Sequence, residues 1–388
     1  MNNTSQISNL KSILVLAAVL ALDACAGSAP GAAEWPQWRG PKRNDISTET
    51  GLLKQWPASG PALVWKTAGL GEGYSGPAIV GGKIFLMGDV GGSCNLIALD
   101  VATGKQVWAA NVGKTGKPGG YAGPRGTPSV DGGLVFALGQ FGDLACVQAA
   151  TGQLVWHKSL TTDFRGGVPG WGYAESPLVE GNLVVCTPGG RQGAIVALNK
   201  TTGALAWQSK AFTDGAHYSS LIAEDIGGVR QYIQLTAESV AGVAAVNGQL
   251  LWRAPRRGQT AVVPTPVYAD NQVFVTSGYG VGHNAFRITA AGGQFKAEQI
   301  YSGKEITNHH GGVILVGQHL YGHSDSGGWT CMEFKTGNVA WKNNGVGKGS
   351  CGFADGHLYT RSEGKGTVAL VEATPEGYKE KGRFEQPD

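Results

Sequence analysis

Groups with chemistry to offer recur at one place in this sequence, immediately upstream of short Val/Ile/Leu runs: Tyr74 and Ser75, Arg125 and Thr127, Tyr173 and Glu175, His217 and Tyr218, Thr265, and Asn308-His309-His310. Arg125 offers a planar donor fork suited to carboxylates. Glu175 and Asn308 carry hard oxygens of the kind Ca²⁺ accepts. His309 and His310 titrate near neutral pH and suit proton transfer. Neighbouring side chains on a strand point to opposite faces, so the two histidines share one metal only where the strand is broken, which Gly311-Gly312 would permit. The spacing assigns no metal site. The same polar positions would serve equally to hydrate a channel and to satisfy backbone groups around it.

Cysteine chemistry is sparse. Beyond the N-terminal region lie Cys94, Cys146, Cys186, Cys331 and Cys351, an odd number that cannot pair completely within the chain. Cys146 and Cys331 hold equivalent places in apolar runs, where a small hydrophobe would do as well, so buried free thiols are expected. The sequence has no Cys-x-x-Cys-His, no paired Cys-x-x-Cys and no adjacent cysteines.

The elements that must position these groups repeat. A Gly turn followed four residues later by Trp occurs at Gly104/Trp108, Gly152/Trp156, Gly203/Trp207, Gly248/Trp252 and Gly337/Trp341. Successive glycines are 48, 51, 45 and 89 residues apart, and the long gap holds a degenerate copy at Gly292-Gly293 in which Lys296 stands where Trp is due. Strand-only repeats of about 45 residues indicate a β-propeller, because each four-stranded unit buries its faces only by stacking on its neighbours. The 63 glycines are spread between short apolar runs, not gathered in low-complexity tracts, and mark turns.

Seven units follow, ending near Trp108, Trp156, Trp207, Trp252, the degenerate copy, Trp341 and Gly377-Tyr378-Lys379. A polar leader precedes them, and Ala62-Leu63-Val64-Trp65-Lys66 reads as a final strand lacking its blade. That orphan strand, with the polar close Phe384–Asp388 read as a link onward, predicts an eight-bladed ring truncated at its C-terminus. The expected fold is therefore all-β, with a signal region at 1–33, an extended leader at 34–60 and a propeller domain at 61–388. Inner strands of a propeller line its channel, so the polar groups above form one channel mouth. Trp171 closes a long segment, residues 163–172, that reaches over it.

The unit Ala98-Leu-Asp-Val-Ala-Thr-Gly-Lys-Gln-Val-Trp108 resembles the repeat of the pyrroloquinoline-quinone (PQQ)-like propellers. That superfamily includes quinoprotein alcohol dehydrogenases and also BamB-type lipoproteins that bind no cofactor. The leader Trp35-Pro-Gln-Trp-Arg-Gly-Pro41 and Asn308-His-His-Gly-Gly312 resemble a secreted bacterial BamB-like subgroup. The resemblance implies that Trp65, Trp108, Trp156, Trp207, Trp252 and Trp341 dock between blades. It leaves two functions open. One is an envelope scaffold without a cofactor, whose partner is an envelope protein, a small ligand or a glycan. The other is a PQQ- and calcium-dependent alcohol or sugar dehydrogenase, with Glu175 and Asn308 on the metal, Arg125 on the cofactor carboxylates and His309 or His310 as base. The missing Cys-Cys pair, haem motif and inward Asp favour the scaffold.

The formal charge of +3, with few adjacent basic residues, leaves no footprint for nucleic acid. Ile13–Leu22 has the length of a signal-peptide core behind Lys11, which predicts export to the periplasm or cell envelope. Leu22-Asp-Ala-Cys25 resembles a lipobox and Gly31-Ala-Ala33 suits ordinary cleavage, so a monomer tied to the membrane through a lipid on Cys25, or released from it, is expected.

Overall fold

The computed structural model describes residues 34–386. The apolar run Ile13–Leu22, both cleavage sites and Cys25 lie outside the described residues.

Seven four-stranded antiparallel sheets follow one another along the chain, spanning residues 78–114, 129–159, 178–208, 222–255, 267–303, 313–343 and 349–385, here blades 1 to 7. Each blade is a simple meander, so its first strand is innermost. The inner strands are Ala78–Val80, Ser129–Asp131, Leu178–Glu180, Ile222–Ile226, Val267–Ala269, Val313–Val316 and Gly349–Ala354. Alternation along each strand buries both faces against adjoining blades, and the core is a set of slabs between blades. Phe136, Cys146 and Trp156 of blade 2 pack on Val184, Cys186 and Leu198 of blade 3, for example. All five cysteines of the described residues are buried free thiols in or beside these slabs.

Four of the repeat Trp residues hydrogen-bond into the following blade. Indole Nε1 of Trp108, Trp156 and Trp207 donates to the carbonyls of Ala149, Lys200 and Ala245 in the following blade, at 3.2, 2.9 and 3.0 Å. Trp341 reaches Thr374 O at 2.8 Å. The rings of Trp108, Trp156 and Trp207 lie over the Gly turns of the next blades, where a side chain has no room: a Cβ on Gly152 would lie 2.7 Å from the Trp108 ring.

Blade 5 departs from the expected spacing. Its outer hairpin, Gly282–Ala291 and Gln294–Gly303, is longer than the others, so Lys296 falls near the turn and is not the docking residue. Tyr301 is. It pairs with Ala285 across a bulge, as Trp108 pairs with Ala98 and Trp156 with Cys146, and its hydroxyl donates to Phe334 O at 2.5 Å beside Gly337. Trp252, facing the blade whose turn has moved outward, donates instead to Gln231 Oε1 within its own blade at 2.7 Å.

The ends differ from expectation as well. Residues 62–66 form no strand, yet Trp65 Nε1 still donates to Val101 O of blade 1 at 2.9 Å, the docking bond without a blade behind it. Of the polar segment read as a link onward, Phe384 and Glu385 belong to the outer strand of blade 7, Glu380–Glu385; an outermost strand leaves one edge to solvent, so its sequence need not be apolar.

The leader does most to reshape the channel. Trp35 bridges Ile79 of blade 1, Pro36 O accepts from Val130 N of blade 2, and Ile46 bridges Phe353 of blade 7. Between them Trp38 donates to Thr265 Oγ1, Arg39 to Val313 O and Arg43 to Ser176 O and Pro177 O. One short loop therefore touches six blades, which is possible only if it occupies the ring axis. The channel is plugged, not an open hydrated bore. From there residues 52–67 run across blade 7 to blade 1, with Leu52 N on Asp355 Oδ2, Trp56 N on Lys381 O and Trp56 packed against Tyr359 and Phe384.

Candidate functional site

The loops joining one blade to the next, and the turns between second and third strands, share a face. The leader enters from the opposite face, beside Asp355, so this mouth has a floor.

Around the mouth each blade presents a side chain. Tyr74, 62% exposed, lies under the Arg125 guanidinium at 5.6 Å from its ring centre. Arg125 is held by the carbonyls of Gly123 and Tyr121 at 2.6 and 2.9 Å. Burial lowers its pKa, while Tyr74, Tyr218 and Asp89 nearby oppose the shift. The long segment before blade 3 touches the entry of blade 4: Trp171 N donates to the Tyr218 hydroxyl at 3.2 Å, and the two rings meet edge on at 5.9 Å. His217 stacks edgewise on Tyr218 at 4.6 Å and accepts from Val262 N at 2.9 Å; burial lowers its pKa. Tyr218 feels Arg125 on one side and Tyr279 on the other.

Tyr279 then packs against His309 at 4.5 Å, and His309 against His310 at 5.0 Å. Each imidazole has a carboxylate partner, Asp325 for His309 at 3.2 Å and Glu363 for His310 at 3.4 Å, and Lys348 joins Glu363 at 3.2 Å. Burial lowers the pKa of His310. The adjacent histidines thus serve separate carboxylates, and among the described residues no three His, Cys, Asp or Glu side chains are placed to hold a metal ion.

Four sequence candidates lie beneath this surface. Tyr173 is 1% exposed and donates to Pro188 O at 2.9 Å. Thr127 is buried, with its amide on Ser176 Oγ. Asn308 is spent internally: its amide donates to Gly312 O and His323 O, and its carbonyl accepts from Gly312 N. Glu175 accepts from Thr187 N and lies near the leader's Arg43. Burial pushes its pKa up to about 7 against the pull of those neighbours.

These placements bear on the quinone and calcium that the fold suggests. Asn308 spends its amide on Gly312 and His323, and Glu175, 1% exposed and with its Oε2 unpartnered, is buried beneath the surface that carries Arg125 and His309, so the four do not converge as a cofactor's ligand set. The residues present do not fit that group in the roles expected of them.

Tyr279, Asp325, Lys348 and Glu363 were not singled out in the sequence. They lie in or beside the turns between second and third strands or at a blade entry, which the repeat pattern does not mark. The nearest signal was Tyr279 between two glycines.

A propeller ring plugged by its own leader, with an aromatic mouth on one face, is the class of protein that these features define. The family model described as "Outer membrane protein assembly factor BamB" matches residues 92–343, and the chain belongs to that PQQ-repeat family. It is 26% identical over 295 residues to the outer membrane protein assembly factor BamB of Shewanella oneidensis, covering 72% of this chain and 60% of that one. Over 243 residues it is 26% identical to the tetrathionate hydrolase of Acidithiobacillus ferrooxidans, covering 59% of this chain and 40% of that one. The chain thus spans less than two thirds of both relatives. Among solved structures, BamB from Moraxella catarrhalis aligns with a TM-score of 0.60 at 14% identity, over 80% of this chain and 88% of that one. Quinohemoprotein alcohol dehydrogenase from Comamonas testosteroni aligns at 0.55 and 14%, over 94% and 82%. At these identities the structures share the fold alone.

Proposed function

We propose that this chain is an exported, envelope-associated binding scaffold, a monomer that holds a ligand or envelope partner at the aromatic mouth without turning it over. The observation that carries the reading is the mouth itself. Seven blades each contribute a side chain, from Tyr74 through Arg125, Trp171, Tyr218, Tyr279 and His309 to Glu363, above a channel already filled by the leader. A propeller's own packing does not call for such a set, and fold alone does not confer a function. The BamB relatives support an envelope setting.

Two measurements test it. A photo-crosslinker at Tyr279 forms adducts with envelope components, while one at Leu154 on the outer rim does not; equal labelling at both sites overturns the reading. Purified protein incubated with PQQ and Ca²⁺ shows no bound-quinone absorbance and reduces no dye with alcohols or sugars. Turnover there would establish the dehydrogenase in its place.

A further inference from the structure

We infer that the mouth takes a neutral saccharide, the end of a glycan chain or a free oligosaccharide. This rests on the mouth being the binding face, and three observations narrow its ligand.

The first is the kind of surface. Tyr74, Trp171 and Tyr279 keep ring area open to solvent around one entrance, and Tyr218 meets the Trp171 ring edge on. Large rigid rings with polar tips suit a ligand with flat C–H faces and hydrogen-bonding edges, which describes a pyranose. The second is charge. The named carboxylates of the rim already have donors, Asp325 from His309, Glu363 from Lys348 and His310, and Asp89 from the Gln140 amide, while the Arg125 guanidinium is held by the carbonyls of Gly123 and Tyr121. A strongly anionic or cationic ligand would have to displace these pairs, whereas hydroxyls can join them as further donors and acceptors.

The third is strain. Tyr279 holds a left-handed backbone, φ +57°, between Gly278 and Gly280. A bulky residue there is costly, and such strain persists where the surroundings enforce it, often at ligand sites. The position presents a phenol over His309 where glycine would be the relaxed choice.

The full chain is titrated with neutral oligomers of glucose and of N-acetylglucosamine, followed by Trp fluorescence and by saturation transfer to the sugar protons. Binding of at least one series is expected, weakened about tenfold or more by Tyr279→Gly or Trp171→Ala and unchanged by Leu154→Ser. Tyr279→Gly relieves the left-handed strain and so keeps the parent's thermal transition, which separates loss of the site from loss of the fold. Absence of binding at millimolar sugar, or binding that survives both mouth variants, overturns the saccharide. If the Tyr279 crosslinks remain specific in that event, the binding face stands and only the ligand class is wrong. Binding of a charged oligosaccharide alone also counts against the inference.

Discussion

Trp56 fills the place of the side chain that Gly382 lacks. Gly382 pairs with Leu370 at the bulge where the other outer strands carry Trp or Tyr, and a Cβ on it would lie 2.8 Å from Trp56 Cβ. Blade 7 thus borrows its docking indole from the leader, and Trp65, nine residues further on, docks against blade 1. The leader is part of the ring's closure.

Removing that indole should therefore behave like emptying a core site. Trp56 is 8% exposed and meets Tyr359 and Phe384. Trp56→Ala is expected to cost about 3–5 kcal/mol in urea unfolding, as large aromatic deletions do. A loss under about 1 kcal/mol, the scale of an ordinary surface change, would contradict the closure role.

The ring was legible in the sequence because each Gly turn must clear the Trp that lies on it, and that steric need writes itself as a fixed spacing. The spacing misled wherever an element changed length: counting four residues from Gly292-Gly293 gave Lys296, while the bulge opposite Ala285 selects Tyr301. The mouth was legible in half. Tyr74, Arg125, Trp171, His217, Tyr218 and His309 precede inner strands or fall in a visibly long segment. Tyr279 and Glu363 sit in turns that carry no periodic mark. The plug was not legible, since nothing in Trp35–Arg43 says that two arginines will be buried on the axis.

Blade 5 offers a direct comparison of the two assignments. Tyr301→Ala should lose about 3 kcal/mol, and Tyr301→Phe about 1 kcal/mol for the bond to Phe334 O. Lys296→Ala, on an exposed hairpin, should stay within about 0.5 kcal/mol of the parent. Chemical denaturation of the three variants decides it; a larger loss for Lys296→Ala than for Tyr301→Ala would restore the position read from spacing.

The plug rests on buried charge. Arg39 Nε meets Asp45 Oδ2 at 2.7 Å, and its Nη2 donates to Val313 O at 2.6 Å. Arg39→Ala leaves Asp45 without its partner in the channel, a change of about 3–5 kcal/mol for a buried pair. The structural consequence is release of the leader loop. Limited proteolysis should cut the variant within residues 34–50 while the parent resists there, and identical cleavage patterns would argue that the blades hold the loop without Arg39.

The thiols should be inert in the native state. Burial pushes Cys331 up to about 11 and Cys146 and Cys351 up to about 12, and raises Cys94 and Cys186 also. Few thiolates form at neutral pH, and reagents have no route to them. An aromatic disulfide reagent is expected to leave all five described cysteines untouched until denaturant is added, when all five react. Rapid labelling of any of them in the folded protein would place a cleft where the structure has a slab.

Glu175 makes stability depend on pH in an unusual direction for a carboxylate. Its pKa rises from an ordinary 4.5 to about 7, chiefly through burial, so across that window the native protein holds a proton that the unfolded chain has released. Stability therefore falls as pH rises from about 4.5 to 7. Glu175→Gln keeps an acceptor for Thr187 N and cannot titrate. Relative to that variant, the parent should lose up to about 3 kcal/mol across the window and nothing further above it. Urea midpoints at pH 5, 6, 7 and 8 give the comparison, and parallel curves would mean that Arg43, beside Glu175, keeps the carboxylate ionised throughout.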